Sequence, residues 1–156
     1  MQRTILILTV VAVAAASAFA DAAWASASGK PEHLSVVSTT SPSGVASVIA
    51  TGAFTAGGTV LGSKTGVTVD LQHGTFEIQP QISQHVTVDK ATCYFAATGW
   101  GTYTILHGTG AYKGIKGSGH LTFTEVSVVP KTSNGTCSAN GPYQKIIELN
   151  GSVTLP

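Results

Sequence analysis

The chain has 156 residues, enough for one domain of ordinary size, and only 10% of them are charged. Seven lysines and seven acidic residues follow residue 20, and the single arginine, Arg3, precedes it. Because nucleic acids and anionic membranes are held by clusters of Lys and Arg, this balance argues against either as a partner.

Residues 1–20 have the three zones of a secretory signal peptide. A basic start at Arg3 precedes an apolar run, and small residues end at Ala20. We expect cleavage between Ala20 and Asp21, and later A-x-A matches would allow a cut as late as residue 27. A retained anchor is the alternative, but the apolar run is shorter than the roughly 20 residues of a spanning helix. The sequence thus predicts a secreted, extracellular protein with a Sec-type signal of bacterial character and no stable membrane insertion after processing.

Residues 21–33 are rich in Ala and Ser and show no apolar periodicity, so we interpret them as a flexible leader. A single β domain is expected over residues 34–156. There, apolar residues alternate with polar ones in short runs, as half-buried strands require. Val67, Val69 and Leu71, for example, alternate with Thr, Asp and Gln.

Turn signals rich in Gly, Pro and Asn separate these runs at short intervals. They lie at residues 41–44, 57–58, 62–64, 73–74, 79–80, 108–117 and 133–135. Good helix formers are scarce in the segments between them, which argues against crossover helices and hence against a parallel sheet. The predicted fold class is all-β, an antiparallel closed barrel of about eight strands, with a β-sandwich as the alternative. Glycines inside strand-like runs favour the barrel, because they relieve crowding where strands bend.

Cys93 and Cys137 are the two cysteines of the chain. Exported proteins with an even number of cysteines usually pair them, so we predict a Cys93–Cys137 disulfide. Free or metal-bound thiols are the alternative, but neither a C-x-x-C pair nor a closely spaced His accompanies the cysteines.

The stretch from Gly101 to Gly119 contains the pattern G-T-G-x-Y-x-G-I-x-G-S-G after a G-T-Y-T-I strand. It resembles a hairpin of the allene oxide cyclase and dirigent superfamily, and in particular small exported bacterial proteins with an allene-oxide-cyclase-like barrel. The resemblance implies an eight-stranded antiparallel barrel with an apolar lumen. Related barrels associate through their sheet faces, so it also implies that a homo-oligomer is compatible with this fold. The arginine that dirigent relatives use in their pocket has no counterpart after residue 20.

The sequence offers no clear catalytic constellation. The glycines of the hairpin do not have the spacing of a phosphate-binding loop, and no G-x-S-x-G elbow is present. The five histidines form no i, i+2 or i, i+4 pair, so neither a metal site nor a cofactor is predicted. Alternation with apolar neighbours places the strand carboxylates on the solvated outer face. These are Asp70, Glu77, Asp89, Glu125 and Glu148.

Aromatic residues concentrate in the half of the chain that contains the hairpin, and core packing is the simplest role for them. As a candidate ligand-contacting wall we select Trp100, Tyr103, Tyr112 and Tyr143, of which the tyrosine hydroxyls would serve as polar handles in an apolar cavity. The function predicted is a non-catalytic exported β-barrel module that binds a small apolar molecule or an extracellular partner. The alternative, which the resemblance implies, is an isomerase or cyclase of the allene oxide cyclase type acting on a hydrophobic substrate.

Overall fold

The computed structural model describes residues 29–39, 45–62, 66–138 and 140–156. Several predictions fall outside these ranges. They are the signal peptide, most of the leader, the turn signal at residues 41–44 and most of the turn signal at residues 62–64. The eight strands are β1 Lys30–Thr39, β2 Val45–Gly52, β3 Ala56–Gly62, β4 Val67–Leu71, β5 Gly74–Asp89, β6 Tyr94–Gly108, β7 Lys116–Val128 and β8 Tyr143–Thr154. A short 3-10 turn, η1 Gly110–Tyr112, lies between β6 and β7.

The strands form a closed barrel in which each pairs with its neighbour in sequence, always antiparallel. The barrel closes where β1 pairs with β8, from Lys30 opposite Val153 to Thr39 opposite Gln144. The predicted all-β fold and the predicted closed barrel of eight strands are therefore confirmed. Closure also gives every strand two neighbours along part of its length.

The core lies inside the barrel, because successive side chains of a strand point to opposite faces. In β1, Leu34 and Val36 are buried at 1% and 4% exposure, whereas Val37, which points outward, is 43% exposed. The same alternation on the other strands fills the interior with aliphatic and aromatic side chains. The largest fully buried ones include Tyr103, Phe76, Leu34, Ile115, Val48 and Val69.

Three local features differ from what the sequence suggests. β1 begins at Lys30, four residues before the predicted start of the domain, and pairs along its length with β8. The predicted turn at residues 57–58 lies inside β3, and Gly58 is required there because a β-carbon would collide with the backbone of Asp70 on β4. The predicted turn at residues 79–80 lies inside β5. Pro80 is tolerated there because β5 pairs with β4 only as far as Ile78.

A disulfide joins Cys93 to Cys137, with their Cα atoms 5.4 Å apart, as predicted. Cys93 ends the turn between β5 and β6, and Cys137 lies in the connection between β7 and β8. The bond therefore ties these two connections together at one end of the barrel. A disulfide-bonded β-barrel is consistent with an oxidising, extracellular environment.

Candidate functional site

Unequal strand lengths open one end of the barrel. β5 and β6 have 16 and 15 residues, whereas β3 and β4 have seven and five. Only the first part of β5 pairs with β4, and the stretch from Gln79 to Asp89 pairs with β6 alone. The inner face of this extended sheet is concave. We call it the trough, and its inward-facing side chains include Ile82, Gln84, Val86, Val88, Phe95, Glu125, Ser127, Tyr143 and Lys145.

Exposure changes sharply along the inner face of β5. Phe76 and Ile78, where β4 lies alongside, are 1% and 3% exposed. Ile82, Val86 and Val88 are 50%, 41% and 52% exposed, although alternation places them on that same face. Inward-facing apolar side chains of a barrel strand are normally covered. The trough is therefore an apolar concave surface that is open to solvent.

A small cavity lies in the lumen below the trough. Its volume is about 80 Å³, and its lining is entirely apolar, with Leu34, Leu121 and Leu149 among the residues. Pro80 and Ile82 also line it, so it opens toward the trough. Binding sites for drug-sized ligands usually measure about 300 to 1,000 Å³. The cavity alone therefore accommodates only the end of an apolar molecule.

A larger depression of about 350 Å³ lies at the far end of the trough, beside the disulfide. Val88, Phe95 and Tyr143 contribute to its wall together with Cys93 and Cys137. This volume falls within the usual range for small-molecule sites. Together with the lumen cavity, the trough offers an elongated apolar surface with space at both ends.

Several polar groups of the trough are paired. Lys145 Nζ lies 3.0 Å from Glu125 Oε2 and 4.4 Å from the centroid of the Phe123 ring. The Tyr143 hydroxyl lies 3.3 Å from Ser38 Oγ. An ion pair held over an aromatic ring offers no net charge to a ligand. The prediction that Glu125 lies on the outer face is wrong, because its register opposite the buried Ala97 places it inside.

The opposite end of the lumen contains a buried carboxyl group that was not predicted from the sequence. Glu32 is 3% exposed, and its Oε2 accepts a hydrogen bond of 3.2 Å from the Phe54 backbone N–H. Its Oε1 and the Tyr103 hydroxyl are buried and have no hydrogen-bond partner among the described residues. Glu32 shares a face with Leu34 and Val36, and this alternation was the signal that could have revealed it.

Burial governs the ionisation of this group of residues. Burial raises the pKa of Glu32, an effect partly offset by hydrogen bonds from the backbone of Phe54 and Ala53. Burial, together with the negative charge of Glu32, raises the pKa of Tyr103 to about 12. The pKa of Tyr112 is raised by the same two causes. Both tyrosines therefore keep their protons at neutral pH.

The structure places the four selected aromatic residues in different environments. Tyr103 and Tyr112 are buried inside at 1% and 4% exposure, and Tyr112 packs against Phe54, with ring centroids 5.1 Å apart. Tyr143 lies in the trough, and Trp100 points outward with 56% exposure. These four residues do not form one wall, and their roles in binding remain predictions.

A polar cluster on the outer surface resembles a catalytic triad only in composition. Glu148 accepts hydrogen bonds from Ser35 Oγ at 2.9 Å and interacts with His33 Nε2 at 2.6 Å. The serine hydroxyl has one proton and donates it to the carboxylate, so it does not donate to the histidine. Activation of a serine nucleophile requires that second hydrogen bond. The arrangement therefore lacks the serine-to-histidine hydrogen bond of a nucleophile and its base.

No group of three or more His, Cys, Asp or Glu residues is placed to hold a metal ion in the described part of the chain. No helix among the described residues is both long and apolar enough to cross a membrane.

The fold defines the chain as an eight-stranded antiparallel β-barrel with an open, apolar trough at one end. Comparison with protein-family models, with curated proteins and with solved structures gives no match. Function must therefore be inferred from the residues of this chain.

Proposed function

We propose that the protein is an exported, non-catalytic β-barrel module that binds an elongated apolar molecule in the trough, with one end of that molecule in the lumen cavity. The observation that carries this proposal is the exposure of Ile82, Val86 and Val88 on an inner barrel face. The lumen cavity that opens toward the trough measures only about 80 Å³. A ligand of ordinary size must therefore lie mainly in the trough.

Burial of apolar surface supplies the driving force. Fully covering a Val or Ile side chain gives roughly 1.5 to 3 kcal/mol, so covering these three half-exposed side chains would give a few kcal/mol in total. The Phe95 ring and the depression beside the disulfide add further apolar contact. Because Lys145 is paired with Glu125, the trough favours a ligand without net charge. These features support a neutral, mainly hydrocarbon molecule.

Export is supported by two features. The first 20 residues have the pattern of a signal peptide, and the two cysteines form a disulfide. The hairpin pattern from Gly101 to Gly119 resembles that of exported bacterial proteins with an allene-oxide-cyclase-like barrel. We infer that this chain is a member of that group.

The test compares two lysine substitutions on adjacent residues of β5. Val86→Lys places a charge in the trough, and Thr87→Lys places the same charge on the outer face, where the side chain is also exposed. The processed protein with its disulfide intact would be titrated with N-phenyl-1-naphthylamine, whose fluorescence rises in apolar surroundings. We expect the wild type and Thr87→Lys to enhance the probe fluorescence and Val86→Lys to lose most of the enhancement. Equal behaviour of both variants, or no enhancement by the wild type, would refute the proposal.

A second candidate function is the isomerase or cyclase that the hairpin resemblance implies. It is favoured by one observation, the buried Glu32 carboxyl group near Tyr103, because such groups with shifted pKa values occur often at catalytic sites. Incubation with an unsaturated fatty-acid epoxide, followed by chiral chromatography of the cyclised product, tests it. Glu32→Gln should abolish an enantiomeric excess if the enzyme hypothesis is correct. A racemic product from the wild type would contradict it.

A further inference from the structure

The outer face of the extended sheet carries one large aromatic side chain in an unusual setting. Trp100 lies in the middle of β6 and is 56% exposed. Its cross-strand partners are Ser83 on β5 and Thr122 on β7, and its neighbours on the same face of β6 are Thr98 and Thr102. All four are exposed and carry a hydroxyl group. The indole ring is therefore surrounded by hydrogen-bonding groups and not by other apolar side chains.

The residues diagonal to Trp100 are also polar. Gln81 and His85 on β5 lie diagonal to Trp100 on one side, and His120 and Thr124 on β7 lie diagonal to it on the other. These four side chains are exposed as well. The nine positions thus form a three-by-three grid with tryptophan at the centre. We call it the tryptophan grid. None of its members is Asp, Glu, Lys or Arg, and none of the outer eight is aliphatic.

We propose that the tryptophan grid binds a neutral carbohydrate, with one sugar ring stacked on the indole of Trp100. One face of a pyranose ring presents C–H groups, which are apolar and slightly positive, and the face of an aromatic ring is negative. The hydroxyls at the edge of the sugar need donors and acceptors beside the stacked ring. Hydroxyl, amide and imidazole groups supply both.

The same chemistry disfavours the other common occupants of an exposed sheet face. Protein interfaces have an apolar core, which needs several adjacent apolar side chains, and here the tryptophan has none. Anionic polymers need Lys or Arg, which the tryptophan grid lacks. By strand geometry the grid measures about 10 Å across the strands and about 13 Å along them, which suits a short stretch of a glycan chain.

The rigid backbone around Trp100 also favours carbohydrate binding. Trp100 lies in a strand that is paired on both sides, so its backbone is fixed before a ligand arrives. A preorganised platform loses less entropy on binding than a loop does. The site is also on the opposite face of the sheet from the trough. It is therefore independent of the proposed function, and a trough substitution such as Val86→Lys should leave it intact.

Affinity electrophoresis of the processed protein tests the proposal. Native gels would contain hydroxyethyl cellulose, laminarin, galactomannan or starch, with carboxymethyl cellulose as the charged comparison. We expect at least one neutral polysaccharide to retard the wild type, and Trp100→Ala to abolish that retardation. Ile49→Ala is the matched control, since Ile49 is an outward-facing apolar residue of β2 with 61% exposure. It should migrate like the wild type.

Tryptophan fluorescence gives a second, direct measurement. The chain has two tryptophans, so in a Trp24→Phe background the emission reports on Trp100 alone. Oligosaccharides of the retarding polymer should shift or quench that emission, and Trp100→Tyr should retain part of the gel retardation. The proposal is overturned if no neutral polymer retards the wild type, if Trp100→Ala is retarded equally, or if only carboxymethyl cellulose binds. Circular dichroism of the variants would establish that each remains folded.

Discussion

The ring of Phe123 lies over Gly99 so closely that a β-carbon on residue 99 would overlap three of its atoms. The two residues are cross-strand partners on β7 and β6, and both face the interior. Glycine provides the space into which the aromatic ring folds across the neighbouring strand. Tyr103 has a comparable relationship with Gly151 on β8, where a β-carbon would lie 2.5 Å from the phenol oxygen. Interior glycines thus determine where the large rings lie.

Gly99→Ala should therefore destabilise the barrel, because the Phe123 ring has to leave its position. Overpacking of this kind typically costs about 1 to 3 kcal/mol. Urea denaturation, followed by circular dichroism, measures the change in the free energy of unfolding. The control is Gly62→Ala at the end of β3, where a β-carbon meets no atom within 4 Å. Adding Phe123→Leu to Gly99→Ala should restore part of the loss, and equal stabilities of the two alanine variants would contradict the packing argument.

The disulfide should contribute substantially to stability. Cys93 and Cys137 are separated by 44 residues, and closing a loop of that length stabilises the folded state by about 4 kcal/mol in the chain-entropy model. The double variant Cys93→Ser/Cys137→Ser should lose most of this in urea denaturation. Adding a reductant should lower the wild-type midpoint to that of the variant and leave the variant unchanged. A wild-type midpoint that does not respond to complete reduction would show that the bond contributes little.

Much of the barrel was predictable from sequence because it depends on alternation, which runs such as that of β4 show clearly. Val69 and Leu71 alternate with polar residues and are buried at 2% and 4% exposure, as the pattern indicates. Alternation also shows why Trp100 and Tyr103 lie on different faces, because two side chains an odd number of residues apart on a strand point to opposite faces. Proximity in sequence led to their selection as one wall. Their odd spacing along β6 would have predicted that they lie on opposite faces of the sheet.

The trough could not be predicted in the same way. Ile78 and Ile82 have the same phase in β5, yet one is 3% and the other 50% exposed. The difference arises from where β4 begins, because β4 covers the first residue and not the second. Strand ends depend on pairing between distant segments and not on local pattern. Glu32 was missed for a related reason. The residues before it show no apolar periodicity, so it was placed in the predicted leader.

The pH dependence of stability should reveal the buried carboxyl group of Glu32. Its pKa in the folded protein is raised above the ordinary value of 4.5, mainly by burial, so the folded state binds its proton more tightly than the unfolded state. Stability should then fall as pH rises from that ordinary value through the raised pKa, because ionisation of the buried group is unfavourable. Glu32→Gln keeps an oxygen acceptor for the Phe54 N–H and cannot ionise.

The measurement is the difference in urea midpoint between the wild type and Glu32→Gln across acidic to neutral pH. We expect the wild type to lose stability relative to the variant as pH rises. Glu148→Gln, on the outer surface, serves as the comparison for loss of an accessible carboxylate. A difference between the wild type and Glu32→Gln that stays constant with pH would show that Glu32 ionises as easily in the folded protein as in the unfolded chain.

Tyr103→Phe should leave the barrel as stable as the wild type or make it more stable, although it alters a fully buried residue. The Tyr103 hydroxyl is buried and has no hydrogen-bond partner among the described residues. Such a group costs about 1 to 3 kcal/mol of desolvation, and phenylalanine keeps the ring while removing that cost.

Tyr143→Phe is the matched control, because its hydroxyl lies within hydrogen-bond distance of Ser38 and its loss should destabilise slightly. Alkaline titration of phenolate absorbance gives a second readout of the buried hydroxyl. Tyr103→Phe should remove the titration step of the tyrosine whose pKa is raised to about 12. Marked destabilisation by Tyr103→Phe would mean that the hydroxyl is bonded in solution, and would point to a polar group bound between it and Glu32.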